Sequence, residues 1–307
     1  SQRIRQKVQQ VPYYNEFTQK QRLAANLFGN QYIPKSWTFP YETEQFKRDF
    51  VEGKYYIQKY GLSSRGNSIQ LVSSLKNIKF QQNYVVQEYL NPLLINGYKF
   101  DMRVYIVITN VNPMIAYYYP EGLVRFATKK YENPDESNYQ TNQMHLTNFA
   151  QNNHNISDLG NGVQSKMRLS WFRNYLQKNY NKKLNLELDK LFQSVFTQLK
   201  QSVSKDDIVF EQNYFGLYGA DVMVTEDLEF KLLEINLQPA LGTSTQLDKE
   251  VKSQLIADYL HLGGIKCRQQ QQLTQLTKKQ KILLQIEEEN ARKGDFIRIL
   301  PNDTDLK

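Results

Sequence analysis

The sequence predicts an α+β sandwich of antiparallel strands with helices segregated around them rather than a doubly wound sheet. Three observations carry this. Strand-like segments cluster between Tyr55 and Thr128, helix-like stretches gather at residues 167–202 and 248–261, and a strand–turn–strand unit spans Tyr218 to Asn236.

In chain order, a helix is expected from Asn15 to Phe28. The Pro-bounded segment IPKSWTFP and an amphipathic stretch from Glu42 to Phe50 follow. YYIQKY (Tyr55 to Tyr60) reads as a strand, GLSSRGNS as a polar loop, and Ile69 to Val72 and NYVVQEYL as further strands. KFDMRVYIVIT, from Lys99 to Thr109, is a long regular strand, and MIAYYYPEGLVRFAT continues the sheet. Residues 129–164 are polar and loop-like, ending in DLGNG. Helices are expected over Met167 to Gln177, Leu184 to Ser202 and Asp248 to His261, the last stopped by Gly263-Gly264. Lys266 to Leu284 holds five basic residues (Lys266, Arg268, Lys278, Lys279, Lys281) and no acidic ones. It is helix-compatible and is taken as an appendage outside the core.

At 307 residues, with 40% hydrophobic and 13% aromatic residues, the chain can bury a sizeable core. The single cysteine, Cys267, excludes an internal disulfide and fits a reducing compartment. No run reaches transmembrane length, and SQRIRQKVQQ lacks the apolar centre of a signal peptide, so a soluble intracellular protein is expected. The net charge of +8 attracts polyanions. Zinc-ligand spacing and nucleic-acid-binding signatures are absent from the sequence, which leaves an acidic protein partner, with no nucleic acid and no membrane, as the expectation.

The hairpin YGADVMVTEDLEFKLLEIN is the most informative stretch. With its turn centred between Asp227 and Leu228, Asp221 lies opposite Glu234, and Asn236 shares their face. Two carboxylates and an amide oxygen would converge on one point. Like charges so placed repel unless a cation lies between them, and hard oxygen ligands suit Mg²⁺. A metal with open positions implies a bound phosphate, most simply ATP. The alternative is a solvent-facing acidic hairpin. On the long strand, Lys99, Asp101 and Arg103 alternate with apolar residues and share one face. Such a row suits a nucleotide and an anionic substrate, or else forms a solvated face of weak ion pairs. Lys59 precedes a Gly-containing loop that resembles a phosphate-covering flap. Gln87 and Tyr89 suit the edge of a purine or a buried strand. His145-Leu146-Thr147-Asn148 forms a compact polar cluster, and Cys267 has no chemical partner in sight.

Six ordered motifs resemble the tubulin–tyrosine-ligase-like family of ATP-grasp amino-acid ligases. They are IQK at Ile57 to Lys59, VVQEYLNPLLINGYKFDMRVY at Val85 to Tyr105, EGLVRFA at Glu121 to Ala127, HLTNFAQNNHN at His145 to Asn155, GADVMV…LLEINLQPAL, and LDKEVKSQLIADYL. The likeness covers about residues 8 to 265, and the family's amino-terminal domain looks largely missing. It implies an ATP-grasp fold divided into a central subdomain with a phosphate-loop flap (1–87), a carboxy-terminal subdomain with the metal site (88–265) and a basic helical extension (266–307).

The implied activity is ATP-driven ligation of a free amino acid, through an acyl-phosphate, onto a protein carboxylate. Asp221, Glu234 and Asn236 would hold Mg²⁺. Lys59, Gln87, Lys99 and Asp101 would bind ATP, with the backbone at Tyr89 and Leu90 beside the adenine. Arg103 and Arg125 would steady phosphate, acyl-phosphate or amino acid, and Thr147 and Asn148 would complete the phosphate and metal shell. GYKFDMR, EGLVRFATKKY and GDFIRILP look most like the polyglutamylase branch, which adds glutamate to tubulin tails. The resemblance thus implies microtubules and free glutamate as partners, in cytoplasm and cytoskeleton, with the axoneme of a cilium or flagellum as one setting. A catalytically weak or inactive microtubule-associated protein on the same fold is the alternative. It is motivated by Asn67-Ser68, which replaces an Arg-Gly pair in the phosphate loop, together with the family's amino-terminal domain that looks missing. Tyr60 and Lys231 also depart from the family, standing where Pro and Trp are usual.

Overall fold

A computed structural model describes residues 8–61, 69–145, 147, 159–203, 214–243, 245–264 and 277–302. Its strands form two antiparallel sheets, as the strand-rich reading expected. The smaller has the order β1-β4-β2-β3, from β1 (Ser36–Thr38), β2 (Tyr56–Tyr60), β3 (Ile69–Val72) and β4 (Tyr84–Glu88). The larger runs β10-β9-β6-β7-β11, with β5 (Leu94–Ile95) on β6 (Tyr98–Val111) and β8 (Lys166–Arg168) on β7 (Met114–Phe126). The remaining strands are β9 (Gly216–Val224), β10 (Phe230–Asn236) and β11 (Ile297–Leu300).

Period-two alternation divides each sheet. In the small sheet Trp37, Tyr56, Val72 and Val86 turn to one side, where they pack with Phe39 and with Phe46 of α3 (Thr43–Asp49). Lys59, Ile57 and Gln87 turn to the other side, toward the large sheet. Strand β6 is buried on both faces. Phe100, Met102, Val104, Ile106 and Ile108 join the main core, whereas Tyr105 and Val107 join a second core on the opposite face. Lys99, Asp101 and Arg103 share that opposite face by alternation, and Lys99 and Asp101 line the cleft between the sheets.

The helix expected over residues 15–28 is two helices, α1 (Asn15–Thr18) and α2 (Lys20–Asn26). They are separated by Gln19, whose backbone is extended (φ −81°, ψ 125°). A short helix, α4 (Asn142–His145), interrupts the polar stretch after β7. Helices α5 (Leu169–Tyr180) and α6 (Leu184–Val203) cover the main core. Helix α6 does so with Leu184, Leu188, Leu191, Val195, Leu199 and Val203, spaced three or four apart along one stripe. Helix α7 (Gln246–Gly263) covers the second core with Val251, Leu255, Tyr259 and Leu262. Among the described residues, no helix is long and apolar enough to cross a membrane.

The tail corrects the sequence reading. Residues 265–276, with Lys266, Cys267 and Arg268, lie outside the described residues. The described part, 277–302, belongs to the core. In α8 (Lys278–Asn290) Ile282 and Ile286 pack into the second core, and Glu289, one turn further, accepts from Thr109 Oγ1 (2.9 Å) and Tyr117 OH (2.8 Å). Strand β11 then pairs with β7. The i, i+4, i+7 face outweighs the basic residues because burial of two isoleucines contributes more than solvation of surface lysines distinguishes. Ile286→Ala is expected to cost about 2–5 kcal/mol. Leu283→Ala, on the 39% exposed flank, should cost under about 1 kcal/mol. Urea unfolding at constant m-value measures both, and equal small effects would contradict a packed tail.

Candidate functional site

The hairpin β9–β10 places Asp221 directly opposite Glu234, with Asn236 opposite Gly219. The register is not uniform. From the turn, Phe230 pairs with Val224 and Leu232 with Val222; a bulge at Leu233 then shifts the pairing by one residue. Without that bulge Asp221 would face Leu233, and Glu234 would turn to the other side of the sheet. The bulge is what brings the two carboxylates together. Asp221 is 2% exposed, which rules out a solvent-facing acidic hairpin. Asn236 turns its amide nitrogen, not the expected oxygen, toward both carboxylates, at 3.3 Å from Asp221 Oδ2 and 3.2 Å from Glu234 Oε1. The N–H₂ group supplies the positive edge that two opposed carboxylates require.

Two arginines tie this hairpin into the centre of the large sheet. Arg103, opposite Asp221 across β6 and β9, donates from Nε to Oδ1 at 2.5 Å and from Nη2 to Oδ2 at 3.1 Å. Arg125, opposite Asp101 across β6 and β7, grips that carboxylate with two bonds of 2.7 Å and reaches Asp221 Oδ2 at 3.0 Å. Thr147 Oγ1 donates a short hydrogen bond to Asp101 Oδ2. Gly219 allows the lattice: a Cβ there would meet Arg103 Cδ and Pro239 Cβ at 3.0 Å each. Burial alone would raise the Asp221 carboxyl, but Arg103 and Arg125 hold it well below the usual range.

The opposite wall comes from the small sheet. Lys59 Nζ donates to Gln87 Oε1 at 2.5 Å, and Gln87 donates to Ser36 Oγ at 2.8 Å. Lys59, Gln87, Tyr89 and Leu90 line one cleft with Lys99, Asp101, Thr147, Asp221 and Glu234. The row on β6 is thus no solvated face: Lys99 is 6% exposed and Asp101 3%. Burial pushes both Lys59 and Lys99 down to about 8, against the pull of Glu234 on the first and Asp101 on the second. Asn148 and the flap residues Gly66, Asn67 and Ser68 lie outside the described residues.

Two further groups, Lys20 and the Lys166–Asp248–Lys252 cluster, carry no signal in the sequence, and His145 shows there only as part of a polar cluster. Lys20 of α2 reaches Glu234 Oε2 at 3.5 Å, from a helix whose amphipathic pattern gave no hint of a site. Lys166 stands opposite Arg125 across β7 and β8 and pairs with Asp248 (2.9 Å), which also holds Lys252 (2.7 Å). His145, part of the polar cluster after β7, sits 3.0 Å from the Tyr89 hydroxyl through Nδ1.

Five cations (Lys20, Lys59, Lys99, Arg103, Arg125) meet three carboxylates (Asp101, Asp221, Glu234) around the cleft, an excess that suits a polyanion such as a polyphosphate. Among the described residues no three His, Cys, Asp or Glu side chains form a metal-holding group. The donor set of Asp221, Glu234 and Asn236 nevertheless fits a hard divalent cation by type. Half a turn of the Asn236 amide presents Oδ1, and a phosphate-bound cation needs few protein ligands.

Residues 1–276 match the tubulin-tyrosine ligase family. The chain is 30% identical over 301 residues to tubulin polyglutamylase ttll6 of Danio rerio, covering 89% of this chain and 38% of that protein. It is 30% identical over 298 residues to tubulin polyglutamylase TTLL7 of Mus musculus (85% and 32%) and over 289 residues to tubulin polyglutamylase TTLL5 of Homo sapiens (86% and 22%). The chain spans less than two fifths of the length of these relatives.

Removing Arg125 would strand the buried Asp101 carboxylate and leave Asp221 to Arg103 alone. Arg125→Met is expected to destabilise the protein by about 3–5 kcal/mol, whereas Arg168→Met, at the exposed pair with Glu250, should leave stability nearly unchanged. Denaturant midpoints at constant m-value measure the difference, and equal effects would contradict the buried lattice.

Proposed function

The chain belongs to the tubulin-tyrosine ligase family, and from that premise we propose that it is an ATP- and Mg²⁺-dependent ligase that adds glutamate to the acidic tails of tubulin. The observation that carries this reading is the single cleft in which Lys59 and Gln87 of one sheet face Lys99, Asp101, Asp221 and Glu234 of the other. Lys59 and Lys99, both lining the cleft, would neutralise phosphates. Asp101 accepts hydrogen bonds in a position suited to a ribose hydroxyl or to fixing Arg125. Asp221, Glu234 and Asn236 would hold the metal, which when bound draws charge from the phosphate oxygens.

In the reaction proposed, a tubulin carboxylate oxygen bonds to the γ-phosphorus as the bridging P–O bond to ADP breaks. The deprotonated amine of free glutamate then bonds to the acyl carbon, and inorganic phosphate leaves with its electron pair. Each step needs charge neutralisation and alignment more than a protein nucleophile. Arg103 and Arg125 would steady the anionic acyl-phosphate. Lys166, beside Arg125 on the same face, extends the cationic wall toward an incoming carboxylate. The setting proposed is the cytoplasmic microtubule cytoskeleton, including axonemes.

ATP-dependent incorporation of labelled glutamate into microtubules tests the reading. Incorporation no greater than that of Glu234→Gln, with tubulin and Mg²⁺ saturating, would sink it, and glycine incorporation instead would keep the ligase and reject the added amino acid.

The lysines add a pH test. Bound polyphosphate stabilises their charged forms, so near pH 8 the complex holds more protons than the free protein. Mg-ATP affinity is therefore expected to fall as pH rises through 8 and to level off at lower pH. Calorimetry in buffers of different ionisation enthalpy should show proton uptake at pH 8. Proton release, or an affinity that does not vary with pH, would contradict the placement of these lysines on phosphate.

A further inference from the structure

A chain of hydrogen bonds leads out of the cleft from Lys99 to a surface loop. Lys99 Nζ lies 3.4 Å from the Tyr89 hydroxyl and 4.6 Å from the centroid of its ring. The hydroxyl lies 3.0 Å from His145 Nδ1, and His145 Nε2 lies 3.3 Å from Asn138 Oδ1. Asn138 is fixed in turn. Its Nδ2 donates to the Asn133 carbonyl and its Oδ1 accepts from Asp135 N–H, both at 3.0 Å. All four side chains, Lys99, Tyr89, His145 and Asn138, are buried.

The polarity of the chain is set by its ends. An ammonium only donates, so the Tyr89 oxygen accepts from Lys99. Its own proton serves His145 Nδ1, with the Tyr131 hydroxyl, which also interacts with the Tyr89 phenol, as the other acceptor at hand. That leaves a neutral imidazole with its proton on Nε2, aimed at Asn138 Oδ1. The Asn138 amide cannot turn over, because Asn133 needs its N–H and Asp135 needs its oxygen. Burial, reinforced by the charge of Lys99, pushes His145 down to about 4, in keeping with the neutral form. A lysine side chain has about 2 kcal/mol of rotamer entropy to lose when it is aimed at a ligand. Holding it against a fixed phenol removes part of that loss before the ligand arrives.

We propose that Asn138 and His145 are positioning residues that fix the Tyr89 phenol and thereby aim the Lys99 ammonium into the cleft. The loop that carries Asn138 then sets anion affinity from outside the cleft. The functional consequence rests on the nucleotide reading of the site, whereas the aiming of Lys99 is a property of the chain alone.

Two readouts keep those separate. In the nucleotide-free protein, a limiting pulse of acetic anhydride followed by mass spectrometry gives the acylation rate of Lys99. That rate is expected to change in the same direction in Asn138→Ala and Tyr89→Phe, and the double variant should match Tyr89→Phe alone. Lysines outside the cleft, such as Lys129, serve as the internal reference for folding. In calorimetry, Asn138→Ala should raise the Kd for Mg-ATP about three- to tenfold, the worth of one hydrogen bond, again with no further loss in the Tyr89→Phe background. His145→Gln, which keeps one donor and one acceptor, should retain more affinity than His145→Leu. An unchanged Lys99 rate in Asn138→Ala, or additive effects in the double variant, overturns the inference. Mg-ATP affinity that is indifferent to Lys99→Met contradicts the nucleotide reading instead, and the acylation result still decides the aiming of Lys99.

Discussion

Asp221 is where the molecule's central constraint lies. Its carboxylate is 2% exposed and shared by Arg103 and Arg125, while Arg125 also closes on Asp101. Four charges packed side by side on three adjacent strands, three of them buried, are tolerable only if every one is paired, because a stranded charge costs several kcal/mol. This demand fixes the neighbourhood. Gly219 must lack a side chain, β9 and β7 must flank β6 in one register, and the Leu233 bulge must turn Glu234 to the same face.

The two faces of β6 divide labour around this lattice. One face is apolar throughout and buried beneath α5 and α6, which anchors the strand. The other is apolar only at its far end, under α7 and α8, and charged where it meets the small sheet. Anchoring on one face and at one end is what allows a row of charges to be held still in a cleft. Pre-set charges of this kind neutralise a ligand without reorganising, and that is where such a site derives its effect.

Much of this was legible in the sequence because strand periodicity is local. The alternation of Lys99, Asp101 and Arg103 follows from period two alone, whereas the pairing of Asp221 with Glu234 needs the Leu233 bulge as well as the turn. The bulge has no local signal in the sequence, and the register near the turn, Phe230 on Val224, differs by one residue from that of a turn centred between Asp227 and Leu228. Burial was not legible at all, since it depends on what packs above the strand. Arg125 came to notice only through family resemblance, because its pairing with Asp101 requires knowing how β7 folds back on β6. The tail shows the same limit. Ile282, Ile286 and Glu289 have helical spacing, but their partners Thr109 and Tyr117 are far away in sequence, and the neighbouring lysines suggested a solvated extension. At Gln19 no Pro or Gly marks the break between α1 and α2.

Hydrogen–deuterium exchange with and without Mg-ATP tests the central claim most directly, since it reports where a ligand sits without relying on turnover. If the cleft between the two sheets is the nucleotide site, added protection should fall on β2, β4, the start of β6 and the β9–β10 hairpin together. Protection confined to the surface away from these four segments, or none at saturating Mg-ATP, would contradict the account.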